Sequence, residues 1–275
     1  MGDISKSKKL SIVTLNTLGT PFFAPDITKR YKKIANLISN ENYDIVCLQE
    51  IFTYYHLFIF KNILKKFPFV AFQKNLFGPR GGLVIFSKQK LINTHFFTFS
   101  YPKGASVPFY VWLARQGIFS AEIEGTSLKI ITTHLSSDET SYLTPQNKLY
   151  SLIKNELQET ATLVNSGREK SHSLIITGDF NIAKNNGLYK QFMRDTKVID
   201  VFEKKESPTY NPDRLPYFYN APKSRIDYIF IKTTNKKIKV LNMDTVFSEQ
   251  EKLSNGKKSF LSDHIGLHCI LEVND

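Results

Sequence analysis

Cysteine is scarce in this chain. Cys47 and Cys269 are the only two in 275 residues, and both stand in apolar, strand-like runs. Two cysteines exclude a disulfide framework and fit buried thiols. No apolar run approaches the roughly 18 residues of a membrane span. The segment 54–64 is apolar and aromatic but short, with Lys61, Lys65 and Lys66 at its end. No interior stretch carries the Pro, Gly or Ser of a linker, and no repeat or low-complexity run is visible. One domain over 1–275 is therefore expected. The start, Met1-Gly2-Asp3-Ile4-Ser5-Lys6, lacks the apolar core of a secretory signal. Lys6 also stands where a myristoylation signal wants Ser or Thr. The expectation is a soluble monomer, either cytoplasmic or secreted with its signal removed.

Acidic residues are also outnumbered. Against 25 Asp and Glu stand 37 Lys and Arg, a net charge of +12. Such an excess favours anionic partners: nucleic acid, an acidic membrane surface or a phosphorylated small molecule. Solubility and a Lys-, Asn- and Ile-rich codon bias account for it equally well, because the basic residues are scattered. With 41% hydrophobic and 23% charged residues, the chain has material for a large core.

What the sequence does contain is alternation. Strands are expected at 10–16, 44–48, 82–87, 91–99, 117–123, 128–133, 173–177, 225–231, 238–246 and 265–273. Glu124-Gly125-Thr126 joins two of them. A helix capped by Asp26 would bury Ile27, Tyr31, Ile34, Ala35 and Ile38. Others are expected over 53–66, stopped by Pro68; from Pro145 to 165, ended by Gly167; and over 187–194. Many strands with helices between them indicate two sheets packed face to face with helices outside, an α/β (α+β) sandwich.

Chemistry concentrates at the strand ends. Leu15-Asn16, Leu48-Gln49-Glu50, Thr133-His134-Leu135, Gly178-Asp179-Phe180-Asn181 and Ser262-Asp263-His264 each place a ligand-type side chain beside a strand. Arg225-Ile226-Asp227-Tyr228-Ile229-Phe230 adds a carboxylate within one. Singly each has an ordinary explanation: an Asx turn at Asp179, a surface position for Glu50, a structural role for His134, a solvated turn at Asp263. Asp227 is harder to explain, because a strand carboxylate needs a partner, and His264 is the expected one. Together the segments supply oxygens for a hard divalent cation and imidazoles for moving protons at a phosphate.

The order and chemistry of these segments resemble the endonuclease/exonuclease/phosphatase superfamily, the deoxyribonuclease I-like fold. Gly81-Gly82-Leu83-Val84-Ile85-Phe86-Ser87-Lys88 looks like that family's central strand element. The resemblance implies a four-layered α/β/β/α sandwich and Mg²⁺-dependent phosphoester hydrolysis, with Mn²⁺ as a substitute. It implies Glu50 as the principal metal ligand, with Asn16 and Asp263 nearby, directly or through water. Asp179 and Asn181 would position water and a phosphate oxygen. His264, oriented by Asp227, would serve as general base or phosphate contact, and His134 would stabilise the transition state. No expected ligand is missing, which argues against a catalytically dead binding module.

Within the superfamily the chain most resembles bacterial-type sphingomyelinases. The likeness lies in Leu48-Gln49-Glu50-Ile51-Phe52 before an aromatic helix, and in Ser207-Pro208-Thr209-Tyr210-Asn211-Pro212 before the Asp227 strand. It implies a phospholipid head group as substrate and peripheral membrane contact. The chain departs from the pattern between Asp227 and Asp263. That interval carries Lys232, Lys236, Lys237 and Lys239 but no paired aromatic tip. A nuclease or DNA-repair phosphoesterase and a phosphoinositide or nucleotide phosphatase are the alternatives. Two other aromatic clusters, Pro21-Phe22-Phe23 and Pro108-Phe109-Tyr110-Val111-Trp112, read either as packing or as recognition loops.

Overall fold

The computed structural model describes residues 7–21, 24–104, 107, 109, 112, 115–137, 143–166, 172–215, 222–233 and 238–274. Phe22, Phe23, Tyr110, Gly167, Lys236 and Lys237, singled out above, lie outside these residues. In chain order the elements begin with β1 (Ser7–Asn16), α1 (Ile27–Asn40), β2 (Ile45–Gln49), α2 (Tyr54–Ile63), β3 (Phe69–Ala71) and β4 (Val84–Ser87). They continue with β5 (Leu91–Thr98), β6 (Gly117–Ile123), β7 (Leu128–His134), α3 (Tyr150–Asn165), β8 (Ser173–Asp179), α4 (Gly187–Thr196) and β9 (Ile199–Asp200). The last are β10 (Asp227–Lys232), β11 (Ile238–Val246), β12 (Glu251–Lys252), β13 (Lys258–Ser259) and β14 (Gly266–Asn274).

The strands form two six-stranded sheets, ordered β11-β14-β1-β2-β4-β3 and β5-β6-β7-β8-β10-β9, plus a small β12-β13 pair. In each large sheet a parallel central pair, β1-β2 or β7-β8, is flanked by antiparallel strands. Three cores glue the layers. Leu10, Ile12, Ile45, Cys47, Ile130, Ile175 and Ile229 meet between the sheets. Val13, Leu15, Val46 and Leu48 face Tyr31, Ile34, Ile38 and Phe60 of α1 and α2. Ile131, Ile176, Tyr228 and Phe230 face Ile153, Leu157 and Phe192 of α3 and α4. This is the expected α/β/β/α sandwich. Each sheet is buried on both faces because successive strand residues point to opposite sides. Both cysteines are buried and free, and burial pushes their thiols up to about 12.

Several local expectations are corrected. Asp26 stands at the N-cap of α1, but its φ of 48° is left-handed and its side chain caps nothing. Its carboxylate binds Lys29 Nζ at 2.8 Å instead. Thr53, by contrast, caps α2 by accepting from His56 N. That helix ends at Ile63, ahead of Pro68. Pro145 opens only a run of turns, and α3 starts at Tyr150. Asp227 begins β10 rather than lying inside it.

Candidate active site

Strand parity decides which side chains enter the site. In β1, Leu10 and Ile12 face the other sheet, so Asn16, in the same phase, faces it too. Ile130 puts His134 in that phase on β7, Ile175 puts Asp179 there on β8, and Ile229 puts Asp227 there on β10. Register completes the row: His134 lies opposite Asp179, and Asp179 opposite Asp227. Glu50 has the wrong phase, since Val46 and Leu48 face the helices. A left-handed backbone at Glu50, φ 67°, re-aims it. Such a conformation is costly for a non-glycine residue and recurs at functional sites. Two close-packed glycines accommodate it. A Cβ on Gly19 would lie 2.0 Å from the Glu50 carbonyl oxygen, and one on Gly82 would lie 2.9 Å from Glu50 Cα.

The side chains converge. Asn16 Nδ2 donates to Glu50 Oε1 at 3.0 Å and to Asp179 Oδ2 at 2.9 Å, linking the two sheets. His134 Nε2 and His264 Nε2 each lie 3.6 Å from that same Asp179 oxygen. His264 Nδ1 lies 2.9 Å from Asp227 Oδ2. Asn181, also left-handed at φ 50°, gives its backbone N–H to Asp179 Oδ1 at 2.9 Å. Its Nδ2 donates to the Leu135 carbonyl, which fixes the amide plane just beyond His134. Glu50 Oε2 accepts from Gly19 N and Thr20 Oγ1. Asp263 accepts from Ser262 Oγ at 3.2 Å and is buried. All eight residues expected from the sequence stand at this one rim.

Burial and charge set the proton inventory. Burial pushes the Asp179 carboxyl up to about 6; Asp227 adds to this, while His264, His134 and the Asn16 hydrogen bond oppose it. Burial also works against a charged His264, yet Asp227 and Asp179 outweigh it and hold its pKa well above the ordinary imidazole value. Burial raises Asp263; His264 and Arg30 oppose this, and Glu50 reinforces it.

Two groupings have the chemistry to hold a cation. Asp179, Asp227 and His264 offer atoms all within 4.8 Å of one another. Asp227 and His264, however, are engaged with each other through Nδ1, and both Asp179 oxygens already accept hydrogen bonds from Asn16 and Asn181. Glu50 and Asp263 form the second. These are two desolvated carboxylates whose charges oppose each other, with lone pairs beyond the hydrogen bonds named. Such a set fits a hard, oxygen-seeking divalent ion.

A profile described as Endonuclease/Exonuclease/phosphatase family matches residues 13–264. The chain belongs to the endonuclease/exonuclease/phosphatase family. Membership assigns it to enzymes that cleave phosphoester bonds. The matched span runs from β1 to His264 and so contains every site residue. A Drosophila melanogaster protein named "Putative neutral sphingomyelinase" is 23% identical over 237 residues, 82% of this chain and 52% of its own length. A Caenorhabditis elegans protein of the same name is 23% identical over 304 residues, covering 98% of this chain and 68% of its own length. The chain thus spans about half of one of these curated relatives and about two-thirds of the other. The solved structure of D. rerio TDP2 complexed with single-strand DNA product covers 96% of the chain at 18% identity, with a TM-score of 0.71. At that identity the likeness is one of fold.

Three residues outside the predicted site support it. Thr209 Oγ1 accepts from both Ile226 N and Asp227 N at 3.0 Å, so the Ser207–Pro212 stretch positions the start of β10. Tyr210 in the same stretch sets its ring 5.2 Å from that of His264. Arg30 is fully buried and donates to the carbonyls of Pro25, Thr17, Leu18 and Leu261. It ties the loop after β1 to the loop before β14. Only its place in the Thr28-Lys29-Arg30-Tyr31 run, one residue before a core tyrosine, hints at burial. Trp112, noted in the sequence, is exposed and stacks on Phe109 at 5.9 Å. No helix among the described residues is long and apolar enough to cross a membrane.

Proposed function

We propose that the protein is a Mg²⁺-dependent phosphodiesterase acting on phospholipid head groups, as a sphingomyelinase does. The observation that carries the chemistry is the convergence on Asp179 Oδ2. Two imidazoles and the Asn16 amide meet there, and Asn16 leads on to Glu50. A phosphodiester resists nucleophiles because it is anionic, so cationic and hydrogen-bonding groups must surround it in the transition state.

Glu50 and Asp263 are the residues that would hold Mg²⁺, or Mn²⁺ in its place. Asn16 fixes Glu50 by donation, and its Oδ1, which accepts from Leu18 N, keeps one lone pair for the ion or its water. The ion, when bound, neutralises a non-bridging phosphate oxygen. Asp179, held on both oxygens by Asn16 Nδ2 and Asn181 N, would take the proton of the attacking water. Asn181 orients that water and a phosphate oxygen. Asp227 holds His264 by Nδ1 and stabilises its charged form, leaving Nε2 to meet a phosphate oxygen. His134, from the opposite side, stabilises the charge that develops there. The site draws on both ends of the chain, which supports reading 1–275 as one domain.

The substrate class rests on the two relatives named as neutral sphingomyelinases, together with the Thr209–Tyr210 stretch that braces the Asp227–His264 pair. The test is phosphocholine release from sphingomyelin vesicles with Mg²⁺ and with EDTA. Release that EDTA abolishes is expected. Cleavage of plasmid or abasic DNA with none of sphingomyelin would overturn the lipid assignment. The net charge of +12 favours that nucleic-acid alternative.

A further inference from the structure

An exposed apolar surface adjoins the Glu50 end of the site. Only Ile51, Phe52 and Thr53 separate Glu50 from α2, whose first turns present Tyr55 and Phe58 at 60% and 59% exposure. The loop over 73–80 is tied to Tyr54, the first residue of that helix, and leaves Leu76 and Phe77 exposed at 78% and 69%. This loop is held by its backbone. Tyr54 N donates to the Phe77 carbonyl at 2.9 Å, Tyr54 Oη to the Asn75 carbonyl at 2.7 Å, and Arg80 N to the Gln73 carbonyl at 2.8 Å. At its base, a Cβ on Gly78 would lie 2.3 Å from the Phe52 carbonyl oxygen. Two large apolar side chains are thus fixed in water at a loop tip. Large apolar side chains exposed on two elements tied together in this way mark an interaction site.

Charge says what kind. Between Glu50 and Glu122 the sequence has no Asp or Glu, while Lys61, Lys65, Lys66, Lys74 and Arg80 fall in the stretch that builds the patch. Lys61 stands one helical turn beyond Phe58, and Lys74 two residues before Leu76; both are exposed. Apolar tips rimmed by uncompensated lysines match an anionic lipid interface. The rings and Leu76 enter the acyl boundary and the ammonium groups stay among the phosphates. Base stacking suits the patch less, since Leu76 has no π-face to offer.

We propose that Tyr55, Phe58, Leu76 and Phe77, flanked by Lys61 and Lys74, dock the protein on an anionic phospholipid bilayer with the Glu50 end of the site turned toward it. This rests on the phospholipid reading above for its purpose, but its test does not. Co-sedimentation is measured in EDTA with vesicles of phosphatidylcholine alone and of phosphatidylcholine with phosphatidylserine, neither holding sphingomyelin. The wild type should bind the anionic vesicles. Leu76→Ser/Phe77→Ser should bind them about tenfold or more weakly at an unchanged melting temperature. Lys61→Glu/Lys74→Glu should lose the preference for phosphatidylserine. Three results would overturn the proposal: no vesicle binding by the wild type, equal binding by the Leu76/Phe77 variant, or loss of single-stranded oligonucleotide binding in that variant while vesicle binding persists. If sphingomyelin cleavage fails while patch-dependent binding holds, the substrate assignment falls and the docking surface stands.

Discussion

His264 Nδ1 sits 2.9 Å from Asp227 Oδ2, and both groups are buried. The carboxylate fixes the ring and keeps it charged against the cost of burial. Replacing Asp227 by Asn keeps the shape and removes the charge. Turnover should fall by about 10²–10⁴. The pH–rate profile should also change, because the imidazolium would then titrate at lower pH. Steady-state kinetics across pH 5 to 9 checks this. An unaltered profile would show that Asp227 does not govern the ring.

Glu50→Gln removes one negative charge from the Glu50–Asp263 pair. The Mg²⁺ concentration for half-maximal activity should rise at least about tenfold. A Mg²⁺ titration of turnover, paired with calorimetric binding of the metal alone, measures it. Equal metal affinity in the two proteins would move the ion away from Glu50.

Gly19→Ala tests the left-handed seat of Glu50. The added Cβ would lie 1.9 Å from Tyr31 Oη and 2.0 Å from the Glu50 carbonyl oxygen. Gly19 N also holds Glu50 Oε2. Overpacking here should cost about 1–3 kcal/mol and shift the carboxylate. Urea unfolding reads the first effect and the metal titration the second. A variant as stable as the wild type, with the same metal affinity, would show that this crowding is easily relieved.

Glu156 carries a separate pH effect. Burial pushes its carboxyl up to about 7; the two Ser136 hydrogen bonds oppose this and Glu159 adds to it. Between its free value of 4.5 and about 7 the folded state keeps a proton that the unfolded state has released. Stability from this group is therefore highest below the free value. It declines by roughly 3 kcal/mol as pH rises through 7. Glu156→Gln stays neutral and should lack that decline. Urea unfolding of both proteins at pH 5 and pH 8 decides it, and parallel losses would place the effect elsewhere.

The strand-end residues were legible because each follows or opens a run whose alternation fixes its side. Leu174-Ile175-Ile176-Thr177 announces Asp179, and Ile130-Ile131-Thr132-Thr133 announces His134. Glu50 was legible by type, but its phase points to the wrong layer, and only its backbone angle shows how it joins the others. Arg30 was hidden because its partners are carbonyls, which every residue carries. Thr209 was legible as part of a motif, but its role was hidden for the same reason, since it accepts from backbone N–H groups. The strands β3 and β9 are too short for period-two alternation to register. The start of α3 was misjudged because Pro145 suits a turn as well as a first helical turn.

The strand β14 lies between β1 and β11, and Arg30 reaches across to the Leu261 carbonyl. A nascent chain therefore displays Asn16, Glu50 and Asp179 long before Asp263 and His264 leave the ribosome. With the proposed site, hydrolytic capacity would switch on only when β14 slots in. On that reading, chains truncated before Asp263 would be inert rather than partly active.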